Sequence, residues 1–249
     1  MQRSLFHRSW QTTWLTLLAV VSCANGREAP AHTCRIVFLD RPDDAPRTLY
    51  LFDGATSREV ELPGMNLSPV YKLPPGALNL RLLATPASDP KTISPDAPAV
   101  LVPEASTDFY LLVTSDRKNP VAPVRLNVIN ADETSLGRGQ MLWFNLTDKA
   151  IAGTVGKEKI TLKPGARELM REPHSGKGDY PVDLYFRIKG DDFIHPLCET
   201  QWHHDPRSRA LVFIMPESDR RVPRLIAFSD FRPTEDPKDK SLTREVGNE

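Results

Sequence analysis

The sequence predicts an all-β protein, a tandem pair of immunoglobulin-like β-sandwich units that arose by internal duplication. Three observations predict this. Short runs rich in Val, Leu, Ile, Phe and Tyr alternate with Pro, Gly, Asp and Asn along the chain, as strands alternate with turns. The 23 prolines suit edge strands and turns and oppose helix interiors. Three segments also recur in the same order, the mark of a repeated structural unit.

Residues 1–26 read as an export signal. Arg3 and Arg8 give a basic start, and Trp14 to Ser22 form an uncharged apolar core too short to span a bilayer. Ala24-Asn25-Gly26 offers small residues for cleavage near Gly26. Val20-Val21-Ser22-Cys23 also has the form of a lipidation motif, with Cys23 as the acylated residue. Simple secretion is preferred over a lipid anchor, which would hold the chain at a membrane surface. Cleavage leaves 30 Lys and Arg against 32 acids, a formal charge of −2. That balance excludes a nucleic-acid partner, which needs a basic face. No later segment is apolar and long enough to cross a membrane as a helix.

The expected strands are 34–39, 48–54, 109–115, 124–130, 140–146, 182–188, 210–215 and 224–228. "TLYLFDG" recurs as "MLWFNLT", "VYKLPPGALNLRLL" as "KITLKPGARELM", and residues 109–129 as 211–228. A strand with one apolar face must bury it against a second sheet, and short strands with frequent turns suit a sandwich. The first unit then spans 31–132 and the second 137–232. Residues 130–139 form a polar link, and 233–249 a disordered tail. Gly76 aligns with Gly165 and Ser115 with Ser218, shifts of 89 and 103. This places 14 extra residues in the second unit, around an inserted hairpin near 191–209.

The stretch "DDFIHPLCETQWHHDPRSR" (191–209) concentrates candidate chemistry. His195, Cys198, His203 and His204 are zinc-type ligands if they converge. On a regular strand His195 and Cys198 fall on opposite faces, and the adjacent His203 and His204 diverge. The preferred reading is a hairpin with arms "FIHPLCETQW" and "ALVFIM", no bound metal, and a polar tip at Asp205-Pro206-Arg207-Ser208. Asp191-Asp192 and Asp43-Asp44 read as charged turns rather than calcium ligands. Ser175 beside His174 reads as a turn rather than a nucleophile. Cys34 and Cys198 are a possible disulfide, with two separate thiols the preferred alternative. Among the aromatics Trp143, Tyr180, Tyr185 and Trp202, core packing is the first expectation. Trp202 and Tyr185 are the candidates for ligand stacking.

"RPDDAPRTLYLFDG", "SPVYKLPPGALNLRLL" and "MLWFNL" resemble segments of secreted bacterial proteins built from β-sandwich repeats. The resemblance implies an envelope location and a β fold, and it brings no activity, catalytic residue or cofactor. The functional expectation is a non-catalytic exported binding or structural protein. Its partner would be an envelope protein or a polysaccharide. The alternatives are a carbohydrate-binding accessory module and a metal-binding protein centred on 191–209.

Overall fold

The computed structural model describes residues 31–231 apart from 189, 218 and 219. The expected signal, Cys23, Ser218 and the expected tail lie outside these residues. The first eight strands are β1 (His32–Phe38), β2 (Thr48–Phe52), β3 (Ser57–Glu61), β4 (Tyr71–Leu73), β5 (Leu78–Leu83), β6 (Ala99–Val102), β7 (Asp108–Ser115) and β8 (Val124–Asn130). The next eight are β9 (Met141–Asn145), β10 (Ala150–Val155), β11 (Glu158–Leu162), β12 (Arg167–Met170), β13 (Gly178–Arg187), β14 (Ile194–His204), β15 (Ser208–Glu217) and β16 (Arg220–Phe231). All eight expected segments lie on strands. No α-helix occurs among the described residues, and no helix there is long and apolar enough to cross a membrane.

The strands form four sheets of four, ordered β4-β1-β7-β8, β3-β2-β5-β6, β12-β9-β15-β16 and β11-β10-β13-β14. The last two orders are the first two with every strand number raised by eight. Pairing directions repeat as well. β1 runs parallel to β7 and β9 parallel to β15, while the other named strand pairs are antiparallel.

Alternation along the strands stacks the four sheets into layers. Ile36, Phe38, Phe109, Leu111 and Val113 point into a core shared with Leu51, Leu80 and Leu82. Met141, Trp143, Val212 and Ile214 point into a separate core with Ile151, Val182, Leu184 and Phe186. The intervening residues fill a third core. Val37 and Tyr110 meet Leu142, Leu211, Phe213 and Phe228 there. The sheets containing β1 and β9 are therefore buried on both faces. This is why β7, β9 and β15 read as unbroken apolar runs rather than alternating ones. The two outer sheets have one face towards solvent.

The expected polar link is docked in that middle core, where Ala131 and Leu136 are fully buried. Between them Asp132 caps a turn. It accepts from the Thr134 hydroxyl at 2.6 Å and from the amides of Thr134 and Ser135. These bonds, the Thr134 hydroxyl first, hold its carboxyl down at about 2.

Three expectations about the repeat change. "TLYLFDG" is β2, whereas "MLWFNL" is β9, which takes the place of β1. Gly76 follows β4, whereas Gly165 precedes β12, the strand in the place of β4. The counterpart of Gly165 is therefore Gly64, a shift of 101. The acceptors of the first parallel rung, Thr107 and Ser208, give the same shift. Thr33 N–H donates to Thr107 O in one half, and Gly139 N–H to Ser208 O in the other. There is consequently no net insertion between these points. The first half has a 15-residue connection between β5 and β6, with a short 3-10 turn at Pro90–Thr92. The second half joins the longer β13 and β14 through only six residues.

Candidate functional site

The stretch 191–209 is not a hairpin of the expected arms. β14 pairs with β13 in the outer sheet, whereas β15 pairs with β9 and β16 in the inner one. Asp205–Arg207 is an arch between sheets. The expected turn chemistry is present. Ser208 N–H donates to Asp205 O at 2.9 Å, and Arg207 N–H donates to the Asp205 carboxylate at 2.9 Å. The Arg207 side chain also bonds Asp205 and, as the foremost cause, holds its carboxyl well below the usual range.

The strict alternation expected for β14 is broken by one residue. Tyr185 pairs with Pro196 but Leu184 pairs with Cys198, so Leu197 is bulged. The extra residue shifts the phase. His195 and Cys198 then pair with Phe186 and Leu184, two core-facing residues of β13. They share a face after all, contrary to expectation. They serve separate contacts there. His195 stacks on Phe186 at 5.3 Å, and its Nε2 lies 2.9 Å from Asp191 Oδ2. Cys198 packs against the apolar core, and burial pushes its thiol up. Cys34 lies in the core of the other half, and the two cysteines are not joined.

His203 and His204 diverge as adjacency requires. The exposed His203 meets Asp179 at 2.6 Å, while His204 is buried edge-on against Tyr180. Among the described residues, no three of His, Cys, Asp and Glu gather in a metal-binding group.

The aromatic candidates divide by face. Trp143 is fully buried, and Trp202 lies flat on it, with ring centres 5.7 Å apart and planes 6° apart. Tyr180 pairs with Trp202 across the strands. Its hydroxyl donates to Met141 Sδ at 3.5 Å, and burial pushes the phenol up to about 12. Tyr185 pairs with Pro196 and bonds Glu199 at 3.2 Å. It belongs to the solvent-facing set of β13, so Tyr185 and Trp202 form no common platform.

The inward set leads to a cavity of about 410 Å³ at the end of the second pair of sheets. Trp202, Tyr180 and His204 line it from the outer sheet, with Gln140, Arg209 and Ser229 from the inner sheet and the link. The size falls in the range of about 300–1,000 Å³ typical of ligand pockets. Arg209 brings no available charge. Its three nitrogens are engaged by Tyr110 Oη and Asp230, by the carbonyls of Ala131 and Leu136, and by Asp108. Burial, then the neighbouring His174, lowers the pKa of His204 against the opposing pull of Glu172 and Asp205. The cavity wall thus offers rings, amides and hydroxyls, and its guanidinium is already engaged.

Sequence reasoning missed this cavity. Counting by twos from Trp202 places His204 on its face, a signal that was present. Nothing in the sequence assigns Gln140, Arg209 or Ser229 to the same space, because they arrive from another sheet and from the link.

His204 has a testable consequence. Its folded pKa lies below its unfolded value of about 6.5, so the native chain binds fewer protons. Stability is then full above that pH and falls as pH drops through the folded value. The thermal midpoint should fall more steeply between pH 7 and 5 in the wild type than in His204→Gln. Identical slopes would remove His204 as the cause.

No protein-family model matches the chain, and comparison with curated proteins gives no match.

Proposed function

We propose that the protein is an exported, non-catalytic binding module acting in the envelope or outside the cell, on an envelope protein or a polysaccharide. The observation that carries this reading is the wall of the β14–β16 cavity. Of the ionisable groups around it, Arg209 is occupied by Asp108 and Asp230, Asp205 by Arg207 and His203 by Asp179, while the His204 ring rests edge-on against Tyr180 with no Asp, Glu or Cys among the lining residues to work with it. What faces the space is suited to holding a ligand rather than to moving protons or attacking a bond. The apolar N-terminal segment, with its alternative ends at Gly26 and Cys23, supports export. The repeated strand order supports descent by internal duplication. Two four-stranded sheets packed around a shared core support an immunoglobulin-like reading of each half.

Cosedimentation with the insoluble envelope fraction of the source organism tests the binding reading. Wild type should pellet with the fraction. Ala227→Trp, which enlarges an exposed residue at the cavity wall, should remain in the supernatant. Equal partitioning of the two proteins would end this reading. Intact mass of the native protein tests export: cleavage near Gly26 or a lipidated Cys23 supports it, and a retained N-terminus refutes it.

A further inference from the structure

We infer that the β14–β16 cavity takes one neutral sugar residue of a glycan, packed against the Trp202 indole. This rests on the reading that the module binds through that cavity, and it names the ligand class.

The two halves of the fold differ at this place. In the first half the equivalent end is closed by His32, which is fully buried. Its Nδ1 lies 2.8 Å from Ser106 O in the β6–β7 loop, and its Nε2 lies 2.6 Å from Gly76 O in the β4–β5 turn. One side chain thus bridges the loops on either side of the sandwich end. In the second half the place of His32 falls to Gly139, three residues before Leu142, which pairs with Leu211 as Arg35 pairs with Tyr110; Gly139 has no side chain and a φ of +74°. Glycine adopts this left-handed conformation at the least cost. Gly139 and Gln140 line the cavity where the other half has a plug. The opening is therefore a built difference between two otherwise matching strand orders.

The chemistry of the wall selects the ligand. A pyranose has an apolar C–H face and a rim of hydroxyls, and it matches an amphipathic aromatic surface with polar groups around it. Trp202 stays partly exposed at the wall while Trp143 fixes its plane from behind. Gln140 accepts from Gly137 N–H at 2.8 Å through its side-chain oxygen, which orients its NH2 as a donor. The exposed Ser229 adds a hydroxyl, and Gln201 a second amide. The Arg209 guanidinium is already satisfied by carboxylates and carbonyls, so an anionic ligand finds no free cation inside. Two edge strands, β14 and β16, contribute to the lining.

The full chain is titrated by calorimetry with neutral hexaoses of glucose, xylose and N-acetylglucosamine, and with hexagalacturonate. A second panel holds adenine and free tryptophan. One neutral hexaose should bind saturably, with affinity lowered at least tenfold in Trp202→Ala and in Ala227→Trp. Because Ala227 is exposed, that variant should keep its thermal midpoint, and the result does not depend on Trp202→Ala folding. Preference for hexagalacturonate, or a hexaose bound equally by Ala227→Trp, would overturn the inference. Saturable binding of adenine or tryptophan alone, lost in Ala227→Trp, overturns the sugar assignment and leaves the binding reading standing. No saturable binding in either panel overturns the sugar inference, and the binding reading falls with it when wild type and Ala227→Trp also partition equally with the envelope fraction.

Discussion

Arg209→Met should destabilise the protein by about 3–5 kcal/mol, the usual cost of removing one partner from a buried ion network. Arg209 Nε meets Tyr110 Oη at 2.8 Å and Asp230 Oδ2 at 3.3 Å. Its other nitrogens bond the Ala131 and Leu136 carbonyls and Asp108. Arg209 and Asp230 are 5% and 1% exposed. Burial disfavours the charge on Arg209, but Tyr110, Asp108 and Asp230 together outweigh it and raise the pKa. Methionine fills much of the space and satisfies none of these acceptors. Two carbonyls and a carboxylate then lose a donor where water is scarce. Asp230 retains Arg35 and the Tyr110 hydroxyl, which sets the loss near the lower end of the range. Urea unfolding measures it. A loss under about 1 kcal/mol would place the network with ordinary surface pairs. The exposed pair Arg117–Asp44 provides that comparison through Arg117→Ala, which should leave the midpoint unchanged. A quadruple variant that adds Asp108→Leu, Asp230→Leu and Arg35→Met should recover part of the loss, because apolar replacement of a whole network is often tolerated.

The seam that Arg209 ties together bears on what the sequence made legible. Strand positions were readable because apolar runs and turn residues are local signals. The doubly buried character of β7, β9 and β15 was readable in principle, since runs such as "FYLLV" do not alternate. Its meaning depends on a partner sheet about 100 positions away. The repeat was visible in short motifs that aligned on the wrong strands. Pro-Gly turns behind a leucine occur twice in the first half, as Leu62-Pro63-Gly64 and Leu73-Pro74-Pro75-Gly76; the second has the spacing of Leu162-Lys163-Pro164-Gly165, yet strand order matches Gly165 with the first. The phase of β14 was hidden by a single bulged residue, Leu197. The arch at Asp205–Arg207 has the residues of a hairpin turn, and turn chemistry alone does not say whether the next strand rejoins the same sheet.

Separating the halves should abolish soluble, well-folded behaviour in each. A chain of residues 137–231 would expose Leu142, Leu211, Phe213, Met215, Ile226 and Phe228, all buried in the middle core. A chain of residues 31–132 would expose Val37, Leu39, Tyr110 and Ile129. A contiguous apolar face of that kind is rare on a monomer and invites association. Self-pairing is the obvious escape, since the two halves present equivalent strands to the seam. The charges oppose it. The rung shared by Thr107 and Ser208 makes Asp108 the positional counterpart of Arg209, and these two residues pair with each other across the seam. If a second copy docks in the same geometry, Asp108 faces Asp108 in one case and Arg209 faces Arg209 in the other. Like charges in so dry a place cost several kcal/mol. Each half expressed alone should therefore aggregate or remain partly unfolded, while coexpressed halves should elute as a 1:1 complex with a single thermal transition. Size-exclusion chromatography with light scattering decides the matter. Two monomeric halves, each melting cooperatively, would mean that the middle core contributes little and that the fold is two sandwiches merely in contact.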